Sequence, residues 1–143
     1  MASVNTIITN DTPIGFELPP VARRFDVSMF AAGGMKTIHN DEDAARAEGL
    51  DGPVAVGPQV AALIFRMMGM CFGEGWIVGG RNAITFRRPV GVYDYCIARG
   101  VVRSKEPEGD DRMRVECEVW VETEAGEKAI VGTCSGLVAV SGE

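Results

Sequence analysis

Residues 113–123 alternate: Met113, Val115, Cys117, Val119 and Val121 are apolar, while Arg114, Glu116, Glu118 and Glu122 between them are charged. Successive side chains of a strand point to opposite faces, so this segment predicts a half-buried β-strand. Similar runs occupy about 77–88, 92–104 and 128–140. They are separated by short stretches rich in turn formers: Arg-Pro-Val-Gly at 88–91, a charged Lys-Glu-Pro-Glu-Gly-Asp-Asp at 105–111, and Glu-Ala-Gly-Glu at 124–127. A parallel crossover needs roughly a dozen residues, so these connections predict antiparallel neighbours.

The pattern changes at 60–71, which is apolar except for Arg66 and Gly69. Pro58, following Gly57, suits the first position of a helix, and 58–71 predicts one that is apolar on nearly every side. Such a helix must be enclosed by other structure. Its length, about 21 Å, is too short for a bilayer core of roughly 30 Å. Met67, Met68 and Met70 read as core filler. Strands with one dry face need a cover, and this helix supplies it. The predicted fold is therefore α+β: a curved antiparallel sheet wrapped around a long central helix.

Glycine is abundant, 18 residues of 143. Gly79, Gly80, Gly91, Gly100, Gly132 and Gly136 fall in or beside strands, where bending or close backbone approach calls for them. No repeat or linker interrupts the chain, and 1–143 reads as one domain.

With 46% apolar residues the core is large enough to fold without staples. The balance of 14 Lys+Arg against 20 Asp+Glu gives a net charge of −6 and disfavours nucleic acid and anionic membranes as partners. Cys71, Cys96, Cys117 and Cys134 are widely spaced and accompanied by a single histidine, which is not metal-ligand spacing. No nucleotide-binding glycine pattern is present, so neither a metal nor a redox cofactor is implied. The opening at 1–10 is short and polar, unlike a secretory leader, which points to a cytoplasmic protein with reduced thiols.

The chemistry is concentrated upstream of the central helix. His39 is the only histidine and hence the default acid/base. Asn40 and Asp43 resemble a capping box, with Asp41 and Glu42 in a helix first turn, so the acidic cluster reads as structural. The Gly57 amide, at the start of the central helix, can serve as an oxyanion donor, whereas Pro58 has no N–H to offer.

The run "IHNDEDAARAEGLDGPVAVG" at 38–57, followed by the apolar helix, resembles the signature of the MaoC-like, or (R)-specific enoyl-CoA hydratase, branch of the hot-dog fold. Ile14-Gly15 with Leu18-Pro19-Pro20 resembles that family's opening strand, and Ile84-Thr85-Phe86-Arg87-Arg88-Pro89-Val90 its Phe-x-x-Pro-Val strand. The resemblance implies a hydratase or dehydratase acting on an unsaturated acyl thioester, with coenzyme A as carrier. It makes His39 the acid/base and Gly57 the holder of the thioester oxygen. Around the substrate the residues themselves add Lys36 as an anion contact, Asn40 and Val56 beside the two, and Arg81 and Asn82, which follow Gly79-Gly80, at the pocket mouth. The family pairs its histidine with an aspartate five residues earlier; here that position is Gly34, and the usual Asn-Pro is Lys36-Thr37.

That departure leaves three readings. His39 works alone or with a carboxylate from elsewhere, for which Asp11, Glu17 and Glu74 are unassigned, while Lys36 keeps the imidazole neutral or meets a substrate carboxylate. Alternatively the chain is an acyl-CoA thioesterase or acyl-binding module, although the central helix carries no carboxylate and only Gln59 to orient a water. Or it is a degenerate subunit whose hot-dog partner carries the active pair. The arginines 81, 87, 88, 99 and 103 either attract substrate anions or answer the acidic strand at 114–122 across the sheet, the second being the simpler expectation. An exposed sheet edge favours a homodimer.

Overall fold

The alternating segments pair into one antiparallel sheet in the computed structural model of the chain, which describes residues 6–140. The strands are β1 (Val21–Arg24), β2 (Arg81–Phe86), β3 (Tyr95–Pro107), β4 (Arg112–Thr123) and β5 (Lys128–Ala139), in the order β1-β3-β4-β5-β2. The outermost residues, including much of the polar opening, lie outside the described residues. A helix α2 (Gly57–Phe72) lies against the concave face, with shorter helices α1 (Glu42–Ala47) and α3 (Glu74–Ile77) on either side in sequence. The wrapped sheet and central helix are as the patterning predicts. No helix among the described residues is long and apolar enough to cross a membrane.

The dry face is the one the alternation marks. Cys96, Ala98 and Val102 of β3, Val115, Cys117, Val119 and Val121 of β4, and Ile130, Cys134 and Val138 of β5 are buried against Val60, Ile64, Met67, Met68, Cys71 and Phe72 of α2. Close contact between helix and sheet depends on glycine. A Cβ on Gly136 would sit 2.5 Å from the Phe72 ring, and one on Gly100 would sit 3.2 Å from Met67 Cε. On the wet face Arg99 pairs with Glu122 at 2.6 Å and Arg103 with Glu118 at 2.7 Å, the cross-strand answer to the acidic strand.

Several boundaries differ from the sequence reading. The run at 77–88 holds a strand only over Arg81–Phe86, because 74–77 turn as α3 and the backbone at Gly79 and Gly80 is pressed against Leu137 and Trp76. Strand β3 continues to Pro107, into the expected charged loop, after a register shift between Val102 and Ser104. The opening strand begins at Val21; upstream of it, Glu17 makes only an isolated bridge to Val101. Helix α2 starts at Gly57, so Pro58 is its second residue. It is not wholly enclosed: Gln59, Ala62, Arg66 and Met70 form an exposed stripe, and Met70, at 50% exposure, is not core filler.

Candidate active site

The loop at 31–41 is organised by one side chain. Asn40 donates from Nδ2 to the carbonyls of Phe30 and Met35, both at 3.1 Å, and its Oδ1 accepts from Thr37 N–H at 2.9 Å. Asn40 is therefore a loop staple whose amide is occupied by backbone, and it is not the cap of α1. That cap is Asp41, whose carboxylate accepts from Ala44 N–H at 2.9 Å.

His39, half-buried, is fixed by the same folding. Its backbone N–H donates to Thr37 Oγ1 at 3.1 Å, and its ring Nδ1 lies 2.8 Å from the Val54 carbonyl. A carbonyl only accepts, so Nδ1 carries the proton and the lone pair of the neutral ring is on Nε2. The tie is doubled by Val54 N–H, which donates to Ile38 O at 3.0 Å. The ring also packs against buried Phe30, centroid to centroid 6.5 Å. No carboxylate bonds to the ring among the described residues; Glu74 lies beyond the far end of α2, Asp11 beside the segment bonded to that end, and Glu17 upstream of β1, bridged to Val101 of β3.

From Val54 the chain runs into α2 under tight control. Ala55 N–H donates to Val90 O at 2.7 Å and Val92 N–H to Pro53 O at 3.1 Å. Helix α2 has no side-chain cap. Gln59 and Val60 N–H both donate to Val56 O, and Pro58 has no N–H, so Gly57 keeps the unused donor of the first turn.

Gly57 lines a cavity of about 360 Å³ with Ala55, Val60, Phe86, Arg87, Arg88, Pro89, Val90 and Ile130. The wall is largely aliphatic and aromatic, the character of a site for an acyl chain. The Phe86 ring lies so close to Gly57 that a Cβ there would be 3.2 Å from its Cε1.

Of the residues singled out from the sequence, Gly57 is brought to the cavity wall. His39 and Val56 are not among the lining residues: the His39 ring is bound to the Val54 carbonyl, three residues before Gly57, and Val56 is the half-buried residue preceding the helix. Lys36 is exposed on the loop. Arg81 and Asn82 lie at the other end of β2 from Phe86, about 17 and 13 Å away along the strand, and do not line the cavity; Arg81 instead faces Glu108 at 3.7 Å. At Gly34 the backbone has φ +87°, and a Cβ there would meet nothing within 4 Å. Phe86, Arg87, Arg88 and Val90 enter the site from a segment signalled in the sequence by the Phe-x-x-Pro-Val likeness and, for the two arginines, by their place in the basic set at 81–103. The four cysteines are free and buried, and desolvation pushes Cys71 and Cys96 up to about 11 and Cys117 and Cys134 up to about 12.

No family model matches the chain, and no curated protein matches it by sequence. Its fold is nevertheless found in solved structures. The monoamine oxidase regulatory protein from Archaeoglobus fulgius superposes with a TM-score of 0.77 at 19% identity, covering 99% of both chains. The MaoC-like dehydratase from Rhodospirillum rubrum gives 0.72 at 22% identity, covering 90% of this chain and 94% of that one. The (R)-hydratase from A. caviae involved in PHA biosynthesis gives 0.68 at 20% identity, covering 90% and 97%. The chain thus has the hot-dog fold, in the form shared by MaoC-like dehydratases and (R)-hydratases.

Proposed function

We propose that the chain is a hydratase- or dehydratase-like enzyme that adds water to, or removes it from, the carbon–carbon double bond of an acyl thioester, with coenzyme A as carrier. The observation that carries the reading is the unused N–H of Gly57 at the start of α2, on a residue that lines a largely apolar cavity. A thioester oxygen placed on that donor gains charge as the enolate forms, and one preorganised donor of this kind contributes about 3 kcal/mol. His39, acting in the form whose lone pair is on Nε2, takes a proton from water as the water oxygen bonds the β-carbon. The imidazolium then returns that proton to the α-carbon, so the ring ends as it began. The likeness to dehydratases and hydratases supports this chemistry.

A degenerate, non-catalytic subunit is the second reading. The carbonyl partner of His39 and the open space around Gly34 favour it, since nothing there replaces the missing carboxylate. A thioesterase is less favoured, because α2 holds no acidic residue. The outer edge of β2 is free of strand neighbours in the described sheet, and pairing it in a dimer, or with another hot-dog chain, removes an aggregation-prone edge. Four reduced thiols suit the cytoplasm.

The test is hydration of crotonyl-coenzyme A, followed by loss of the conjugated thioester absorbance. Turnover abolished by His39→Ala supports the enzyme. Absence of turnover for wild type across short and medium acyl chains, with binding retained, supports the non-catalytic subunit.

A further inference from the structure

The end of β2 is not a regular strand. Arg87 N–H and Arg88 N–H both donate to the carbonyl of Ala129, at 2.8 and 3.3 Å. Two residues thus oppose one on β5, which is a β-bulge, a device that re-aims side chains and ends pairing. Its effect here is that two consecutive arginines border the same spaces, instead of pointing to opposite faces as strand neighbours do. Both line the Gly57 cavity, and both line a second groove of about 220 Å³ with Glu127, Lys128 and Val131.

That groove is electropositive in an acidic protein. It holds the side chains of Arg87, Arg88 and Lys128 against one carboxylate, Glu127, which pairs with Arg88 at 3.1 Å. On the wet face of the sheet, by contrast, Arg99 is answered by Glu122 and Arg103 by Glu118. Arg87 has no ion pair among the described residues, and Lys128 rests over the Trp120 ring at 4.7 Å without a carboxylate partner.

We propose that Arg87, Arg88 and Lys128 form an anion seat continuous with the acyl cavity, so that the ligand carries an anionic group beside its apolar chain. The proposal rests on the reading of the Gly57 cavity as the acyl site. Two sources supply such an anion: a phosphate of the thioester's carrier, or a carboxylate on the acyl chain itself. Guanidinium pairs bind both through paired N–H donors.

The experiment is calorimetric binding of saturated thioesters, which cannot be hydrated: butyryl-coenzyme A, butyryl-pantetheine and glutaryl-pantetheine. If the carrier phosphate occupies the seat, butyryl-coenzyme A binds at least tenfold tighter than butyryl-pantetheine. If the acyl carboxylate does, glutaryl-pantetheine shows that gain. In either case the gain shrinks with added salt and falls to less than threefold in Arg87→Ala/Arg88→Ala, while Arg99→Ala keeps it. Lys128→Ala, outside the bulge, reduces it partially and decides the matter should the double variant fail to fold. Equal binding of all three ligands, or a gain that survives these substitutions, overturns the seat. Failure of the hydratase reading alone leaves the binding ratios intact, and His39→Ala does not change them.

Discussion

The Nδ1–H of His39 donates to the carbonyl of Val54 across 2.8 Å, and Val54 lies in the short segment that delivers Gly57 to the cavity. The proposed acid/base and the proposed oxyanion donor are therefore tied to one stretch of backbone, and the ring's tautomer is fixed by the same bond.

This gives a way to separate the two roles of His39. His39→Asn can retain a donor toward Val54 but has no base. It is expected to unfold within about 1 kcal/mol of wild type, yet to lose hydration activity as fully as His39→Ala, by about 100-fold or more. Chemical denaturation and turnover of crotonyl-coenzyme A, measured side by side, check it. An active His39→Asn removes the general base from the mechanism.

Gly57→Ala should show its effect in ligand binding more than in stability. Alanine in a helix gains about 0.5–1 kcal/mol over glycine, which offsets the cost of displacing the half-exposed Phe86 ring from 3.2 Å. The displaced ring narrows the cavity, so thioester affinity falls. Phe86→Ala in the same chain should restore it, as titration of the single and double variants would show.

Placing the family's aspartate at Gly34 should not rescue or enhance catalysis. With φ at +87° a side chain there is strained, at a cost of about 1–2 kcal/mol. Its Cβ would meet nothing within 4 Å, so it has no packing to aim it at the ring. Gly34→Asp is expected to lower the denaturation midpoint and to leave turnover within twofold, about 0.4 kcal/mol. A large rate increase would show that the loop re-forms around the carboxylate.

Gly136→Ala is expected to destabilise the fold by about 1–3 kcal/mol through overpacking. The added methyl would lie 2.5 Å from the Phe72 ring at the end of α2. Equilibrium urea unfolding measures it, and a neutral result would mean that α2 shifts freely on the sheet.

Alkaline stability should follow the thiols. Desolvation raises Cys71 and Cys96 to about 11 and Cys117 and Cys134 to about 12, from 9.0 in an ordinary thiol. Below pH 9 the thiols are protonated in both states and their contribution is complete. Above it the unfolded chain ionises first, so stability falls as pH rises toward 11–12, by up to about 1.4 kcal/mol per pH unit for each thiol. Urea midpoints between pH 8 and 11 should decline, and less steeply in Cys117→Ala.

The hydrophobic pattern alone determined the antiparallel sheet, its dry face and the helix it wraps, because periods of two and of 3.6 are local properties of the chain. The sequence also marked Gly57, by its place at the start of the apolar helix, and His39, as the single histidine. It overran the start of β2 and misassigned the cap of α1, since competing side chains settle such boundaries: Asn40 is taken up by three backbone groups, leaving Asp41 to cap. The arginines at 81, 87, 88, 99 and 103 looked alike in sequence. Only the tertiary structure separated Arg99 and Arg103, paired across the sheet, from Arg87 and Arg88, gathered at the cavity by a bulge. That distinction depends on which carbonyl two consecutive N–H groups share, a contact with a strand forty residues further along the chain that no local pattern encodes.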